Sequence, residues 1–133
     1  MDILRLNVLL VNEDPVLLEK MEGILSEQGF TFRSAANLDE AKKFIDQESF
    51  QVLVADMTMP DNDGIELCKI YGSRLPIVMI HGTQDHHAQN KLKSFSCCFL
   101  EKGDMAARLA KATWTAFKRF KIDQQIERDL VAA

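Results

Sequence analysis

The sequence contains few cysteines: only Cys68, Cys97 and Cys98, two of them adjacent. An odd count at that spacing excludes a disulfide framework and offers no zinc pattern, so reduced, largely buried thiols are expected. No apolar run approaches the roughly 20 residues needed to cross a bilayer. Met1-Asp2 leads into a strand pattern rather than a basic, apolar signal segment. A cytoplasmic chain with no membrane partner is therefore expected, unless it belongs to a longer protein. Positive charge is not in excess either: the formal net charge is −4, which argues against nucleic-acid binding through bulk electrostatics. A glycine-rich phosphate loop and a GxSxG elbow are both missing. There is no internal repeat, low-complexity tract or second domain.

What is present reads as one domain. A chain of 133 residues, 47% apolar and 27% charged, holds a core that needs no staples. Residues 6–11 (LNVLLV) form a continuous apolar run, the mark of a strand covered on both faces. Asp14 before Pro15 starts a helix, with a capping carboxylate and then a residue whose φ is already set. Leu17, Met21, Ile24 and Leu25 recur at helical spacing, and Gly29 stops the run. Residues 30–35 make a second strand, and Asn37 with Glu40 fits a capping box for the next helix. Further strands are expected at 51–55, 77–80 and 97–101, with helices at 64–71, 86–94 and from Asp104 onwards. Five strands alternating with five helices give an α/β, doubly wound parallel sheet with helices on both faces.

In such a sheet every strand-to-helix turn lies at one edge, so Glu13, Asp56, His81 and Lys102 are expected to converge. Asp56 ends a buried apolar strand in the stretch QVLVADMTMPDNDG. A carboxylate there is costly unless a positive or hydrogen-bonding group meets it. Taken alone, Asp56 would be a loop cap; the acid after the first strand and the lysine after the last argue for a site.

The stretches VLLVNEDP, VLVADMTMPDNDG, PIVMIH and CFLEK carry a family likeness. Over nearly its whole length the chain resembles the receiver domain of bacterial two-component response regulators, and MPxxDG after the acceptor Asp is the most specific part. The likeness implies a flavodoxin-like strand order, 2-1-3-4-5. It implies Asp56 as phosphoacceptor and Lys102 as the lysine that pairs with the aspartate and then with its phosphate. Glu13, Asp56 and the backbone carbonyl of Thr58 would hold Mg²⁺, with Asn12 as a weak or water-mediated ligand. Phe99 stands at the switch aromatic and His81 at the switch hydroxyl position. The phosphoryl donor would be a sensor histidine kinase or a phosphotransfer protein, and the chain would be a switch rather than an enzyme.

Departures from the family pattern bear on each step. Asn12 replaces the first acid of the pair, Glu13 is a methylene longer than Asp, and Gly103 replaces a common proline. The segment between Asp56 and the fourth strand looks a few residues short. Mg²⁺ asks for near-octahedral oxygen ligands, so weaker ion binding is expected. His81 would either donate an N–H to a phosphate oxygen or face solvent as a loop histidine. The alternative reading is a pseudo-receiver, a protein-interaction module that signals without phosphorylation. A third, a flavodoxin-like small-molecule binder, shares the fold but not these acids and this lysine.

Other patterns carry less. Asp61-Asn62-Asp63-Gly64 resembles a calcium loop, but Met59 and Ile70 occupy its first and twelfth ligand positions. His81, Asp85, His86 and His87 lack metal-ligand spacing, and Lys118-Arg119-Phe120-Lys121 reads as a solvated helix face, not a nucleic-acid patch. A helix over 104–130 measures roughly 40 Å against ~17–20 Å for a strand, so its last turns must leave the domain. Leu109, Thr113, Phe117 and Phe120 are expected as its inner stripe, with Ile122, Ile126 and Leu130 on another side. We therefore divide the chain into a receiver domain, 1–122, and a helical extension, 123–133. The extension is either a frayed tail or, as we favour, a homodimer contact or a lead into an output domain.

Overall fold

Alternation along short strands sends successive side chains to opposite faces. In the computed structural model, which describes residues 5–82 and 97–132, the strands are β1 (Asn7–Val11), β2 (Thr31–Ala35), β3 (Val52–Asp56), β4 (Ile77–His81) and β5 (Cys97–Glu101). They form one sheet in the order β2-β1-β3-β4-β5, and every neighbouring pair is parallel. This is the expected flavodoxin-like topology. The helices are α1 (Pro15–Glu27), α2 (Leu38–Gln47), α3 (Asp63–Tyr71) and α4 (Met105–Ala132). The short helix expected at 86–94 lies outside the described residues.

Odd positions of β1 (Leu9, Val11) share one core layer with Leu53, Ala55 and Met79, under Ala41 of α2 and Leu67 and Tyr71 of α3. Even positions (Val8, Leu10) share the other with Val54 and Ile80, under Met21 and Leu25 of α1 and Leu109 of α4. Both faces of β1, β3 and β4 are thus dry, which is why these strands read as apolar runs.

Local signals act largely as their chemistry requires. The Asp14 carboxylate accepts from the Val16 N–H at 3.0 Å and caps α1. Gly29, at φ +84, reverses the chain after α1, and Phe30 N–H returns to the Leu25 carbonyl at 3.0 Å. The Asn37 side chain accepts from Glu40 N–H at 2.9 Å, but the Glu40 carboxylate reaches back to Ala36 N–H at 2.7 Å, one residue before the expected box partner.

Two expectations are corrected. Asp56 is the last residue of β3 rather than the first beyond it, because its neighbour Met57 N–H still pairs with the Ile80 carbonyl at 2.9 Å. The buried stripe of α4 is Met105, Leu109, Thr113 and Ala116; Phe117 and Phe120 are only half-buried. The helix leaves the sheet at that height, so later residues have less to cover them. Its 28 residues run unbroken through position 122.

Candidate functional site

The carboxyl ends of β1, β3 and β5 bring Asn12, Asp56 and Lys102 together at one rim. Asp56 is 3% exposed, a depth at which an unpartnered carboxylate is costly, and four donors meet it. Thr58 supplies its N–H at 2.8 Å and its hydroxyl at 2.6 Å, both to Oδ1. Asn12 Nδ2 donates to Oδ2 at 3.1 Å, and the Lys102 ammonium lies 3.2 Å from the same oxygen. Lys102 Nζ also donates to Thr58 Oγ1 at 3.1 Å, so Thr58 bridges the ion pair. The sequence pointed to the Thr58 backbone; its hydroxyl was the missed feature, and the signal was a hydroxyl residue two places beyond a buried acid.

Asn12 uses both ends of its amide. Oδ1 accepts from Asp14 N–H at 2.9 Å while Nδ2 faces Asp56. An N–H can only donate and a carboxylate can only accept, so this orientation is dictated by its partners. The residue expected to offer an oxygen to an ion is here a donor to the acid, its own oxygen committed to the start of α1. Glu13 is exposed. Together with Asn12, Asp14, Leu17, Asp56, Thr58, Met59 and Lys102 it lines an open cavity of about 150 Å³.

His81 and Phe99 do not line that cavity. Their rings meet edge to face with centroids 6.3 Å apart. His81 Nδ1 lies 2.8 Å from the Gly82 carbonyl; a carbonyl only accepts, so this bond needs the proton on Nδ1. The two expected switch residues are therefore neighbours of each other, on adjacent strands β4 and β5.

The turn after β3 explains the glycine of MPxxDG. Pro60–Asn62 is a single 3-10 turn in which Asp61 and Asn62 both take φ 59. It folds α3 back so tightly that a methyl group on Gly64 would collide with the Asp56 carbonyl oxygen. Asp63 also holds the start of α2, accepting from Leu38 N–H at 3.0 Å.

Among the described residues, no group of three or more His, Cys, Asp or Glu side chains is placed to hold a metal ion. All three cysteines are free thiols, and no described helix is long and apolar enough to cross a membrane.

The family model described as "Response regulator receiver domain" matches residues 8–113. The response regulator protein PilR of Pseudomonas aeruginosa is 31% identical over 119 residues, which cover 86% of this chain and 26% of PilR. The transcriptional regulatory protein GltR of the same species is 30% identical over 84 residues, 59% of this chain and 35% of GltR. The chain thus spans about a quarter to a third of the length of these relatives. Among solved structures, NtrX from Brucella abortus in complex with ADP is similar with a TM-score of 0.81 at 24% identity, over 93% of this chain and 30% of NtrX. A response regulator receiver domain protein from Clostridium thermocellum is similar with a TM-score of 0.74 at 23% identity, over 88% of this chain and 98% of that one. At these identities the two structures speak for the fold alone. The match along residues 8–113 goes further, and by it the chain belongs to the response regulator receiver domain family.

Proposed function

We propose that Asp56 accepts a phosphoryl group from a histidine kinase or phosphotransfer protein, and that the modified domain changes its partner-binding face. The observation that carries this reading is the Lys102 ammonium 3.2 Å from Asp56 Oδ2, beside a cavity open to solvent. In the step, the P–N bond of a phosphohistidine breaks and a P–O bond to an Asp56 oxygen forms; the leaving imidazole takes up a proton. Phosphoryl transfer is mostly positioning and charge compensation. Thr58 and Asn12 orient the carboxylate, and Lys102 is the cation placed to follow the added charge. The chemistry is a transfer and its reversal, so the domain acts as a switch rather than an enzyme on a diffusible substrate.

The residues fit Mg²⁺ sparingly. Asp56 and Glu13 line one cavity, the Thr58 carbonyl is the third candidate, and water must complete the shell, which this ion tolerates. Bound there, it would supply charge to offset the phosphoryl oxygens.

A second reading, a pseudo-receiver that signals by contact alone, draws on one observation: the Asn12 amide satisfies Asp56 where the family carries a further acid. One experiment separates the two. The protein is incubated with a small phosphodonor and millimolar Mg²⁺, and its intact mass is compared with that of Asp56→Asn. A gain of one phosphoryl group in the wild type alone is the expected result. No gain at any Mg²⁺ concentration would leave the pseudo-receiver.

A further inference from the structure

The sheet sorts the three thiols. Alternation along β5 sends Cys97 and Cys98 to opposite faces. Cys97 joins the core layer that holds Cys68 of α3, whereas Cys98 packs against the layer under α1 and α4, with its Sγ 3.8 Å from Arg119. Neighbours on a regular strand point apart, and the sheet itself separates Cys98 from Cys68. Of the possible pairings, only Cys68 with Cys97 is open.

Within that pair the sulfurs are 2.7 Å apart and share a hydrogen bond. Buried cysteines are common core filler, but filling a core does not require two sulfurs to meet head on. A disulfide holds them at about 2.05 Å, so the bond asks for a closure of less than about 1 Å. Access comes from one side: Cys68 is fully enclosed, whereas Cys97 is 8% exposed and lines an open cavity of about 710 Å³ beside β5. That opening admits a molecule as small as hydrogen peroxide.

We propose that Cys68 and Cys97 form an oxidation site, a dithiol that a peroxide converts reversibly into a disulfide between α3 and β5. In the first step Cys68 Sγ, to which the Cys97 S–H donates, attacks one peroxide oxygen. The O–O bond breaks and the departing hydroxide takes the Cys68 proton, giving water and a sulfenic acid. Cys97 Sγ then attacks the Cys68 sulfur. The S–O bond breaks, the S–S bond forms, and the Cys97 proton leaves in a second water. Two thiols are oxidised and one peroxide is reduced to two waters. The enclosed position of Cys68 makes the reaction slow, and a small dithiol reverses it by exchange. The new bond joins α3, whose first turn meets Asp56 at Gly64, to the strand that leads into Lys102. The inference does not depend on phosphorylation of Asp56.

The test exposes the whole reduced chain to graded hydrogen peroxide, removes the peroxide, alkylates free thiols in denaturant and maps the peptides. The wild type is expected to lose about 2 Da before alkylation and to yield a peptide pair linked Cys68–Cys97. Cys98 should stay outside the link, and dithiothreitol should restore all three thiols. Cys98→Ser should form the same link, and Cys68→Ala should form none. The oxidised protein should unfold at a higher urea concentration than the reduced one, because the bond closes a loop between residues 29 apart in sequence. Cys68 and Cys97 still fully alkylated after prolonged exposure would overturn the proposal, as the mark of thiols that only fill the core. A link through Cys98, or an oxidised form less stable than the reduced one, would overturn it too, since either bond would come from a rearranged chain.

Discussion

Asp56 is 3% exposed, so its environment is built largely from protein donors: Asn12, Thr58 twice, and Lys102. Hydrogen bonds to a charged group are worth roughly 1.5–3 kcal/mol each, and here they orient the carboxylate. Asn12→Asp would put a second carboxylate against Oδ2 and remove a donor at once. We expect it to lower the stability of the metal-free protein on the order of 1–3 kcal/mol. Added Mg²⁺ should recover much of that loss in the variant and little in the wild type, which thermal melts with and without the ion would read.

At the scale of elements, the site depends on how closely α3 returns to β3. Gly64 is the point of approach, and only hydrogen fits between its Cα and the Asp56 carbonyl. Gly64→Ala must push α3 or the end of β3 aside; a loss of about 1–3 kcal/mol is expected from urea unfolding. The end of α4 behaves in the opposite way. Ile122, Ile126 and Leu130 are 59%, 54% and 73% exposed, so they add little to the core. Deleting residues 123–133 should change monomer stability by about 0.5 kcal/mol or less.

For the whole molecule, the two-sided core sets the response to pH. Cys97 shares a hydrogen bond with Cys68 and is buried under α3, and both effects hold its thiol protonated well above the usual 9.0. Burial also pushes Cys98 up from the same value, partly offset by Arg119. The same Cys68–Cys97 hydrogen bond lowers the Cys68 thiol, so the two members of that pair act in opposite directions and the plain sign belongs to Cys98. A thiol raised above its ordinary 9.0 contributes stability that is complete below about pH 9 and is lost as pH rises through its folded value. The urea midpoint should fall as pH rises past about 9, and Cys98→Ala should flatten that slope. Much of the architecture was legible in the chain itself. Apolar runs such as LNVLLV mark strands buried on both faces, and Asp14-Pro15, Gly29 and Asn37 punctuate the helices through interactions within a few residues. Those signals are local, so the sequence alone determined the order of elements and, with it, the rim where Asp56 and Lys102 meet. Tertiary structure decided what local signals do not carry. Which end of the Asn12 amide faces Asp56, the bridging of the ion pair by the Thr58 hydroxyl, and the turn of the His81 ring towards Phe99 each depend on partners many residues away. The height at which α4 leaves the sheet belongs with them, because the sheet edge rather than the helix sequence sets where burial stops.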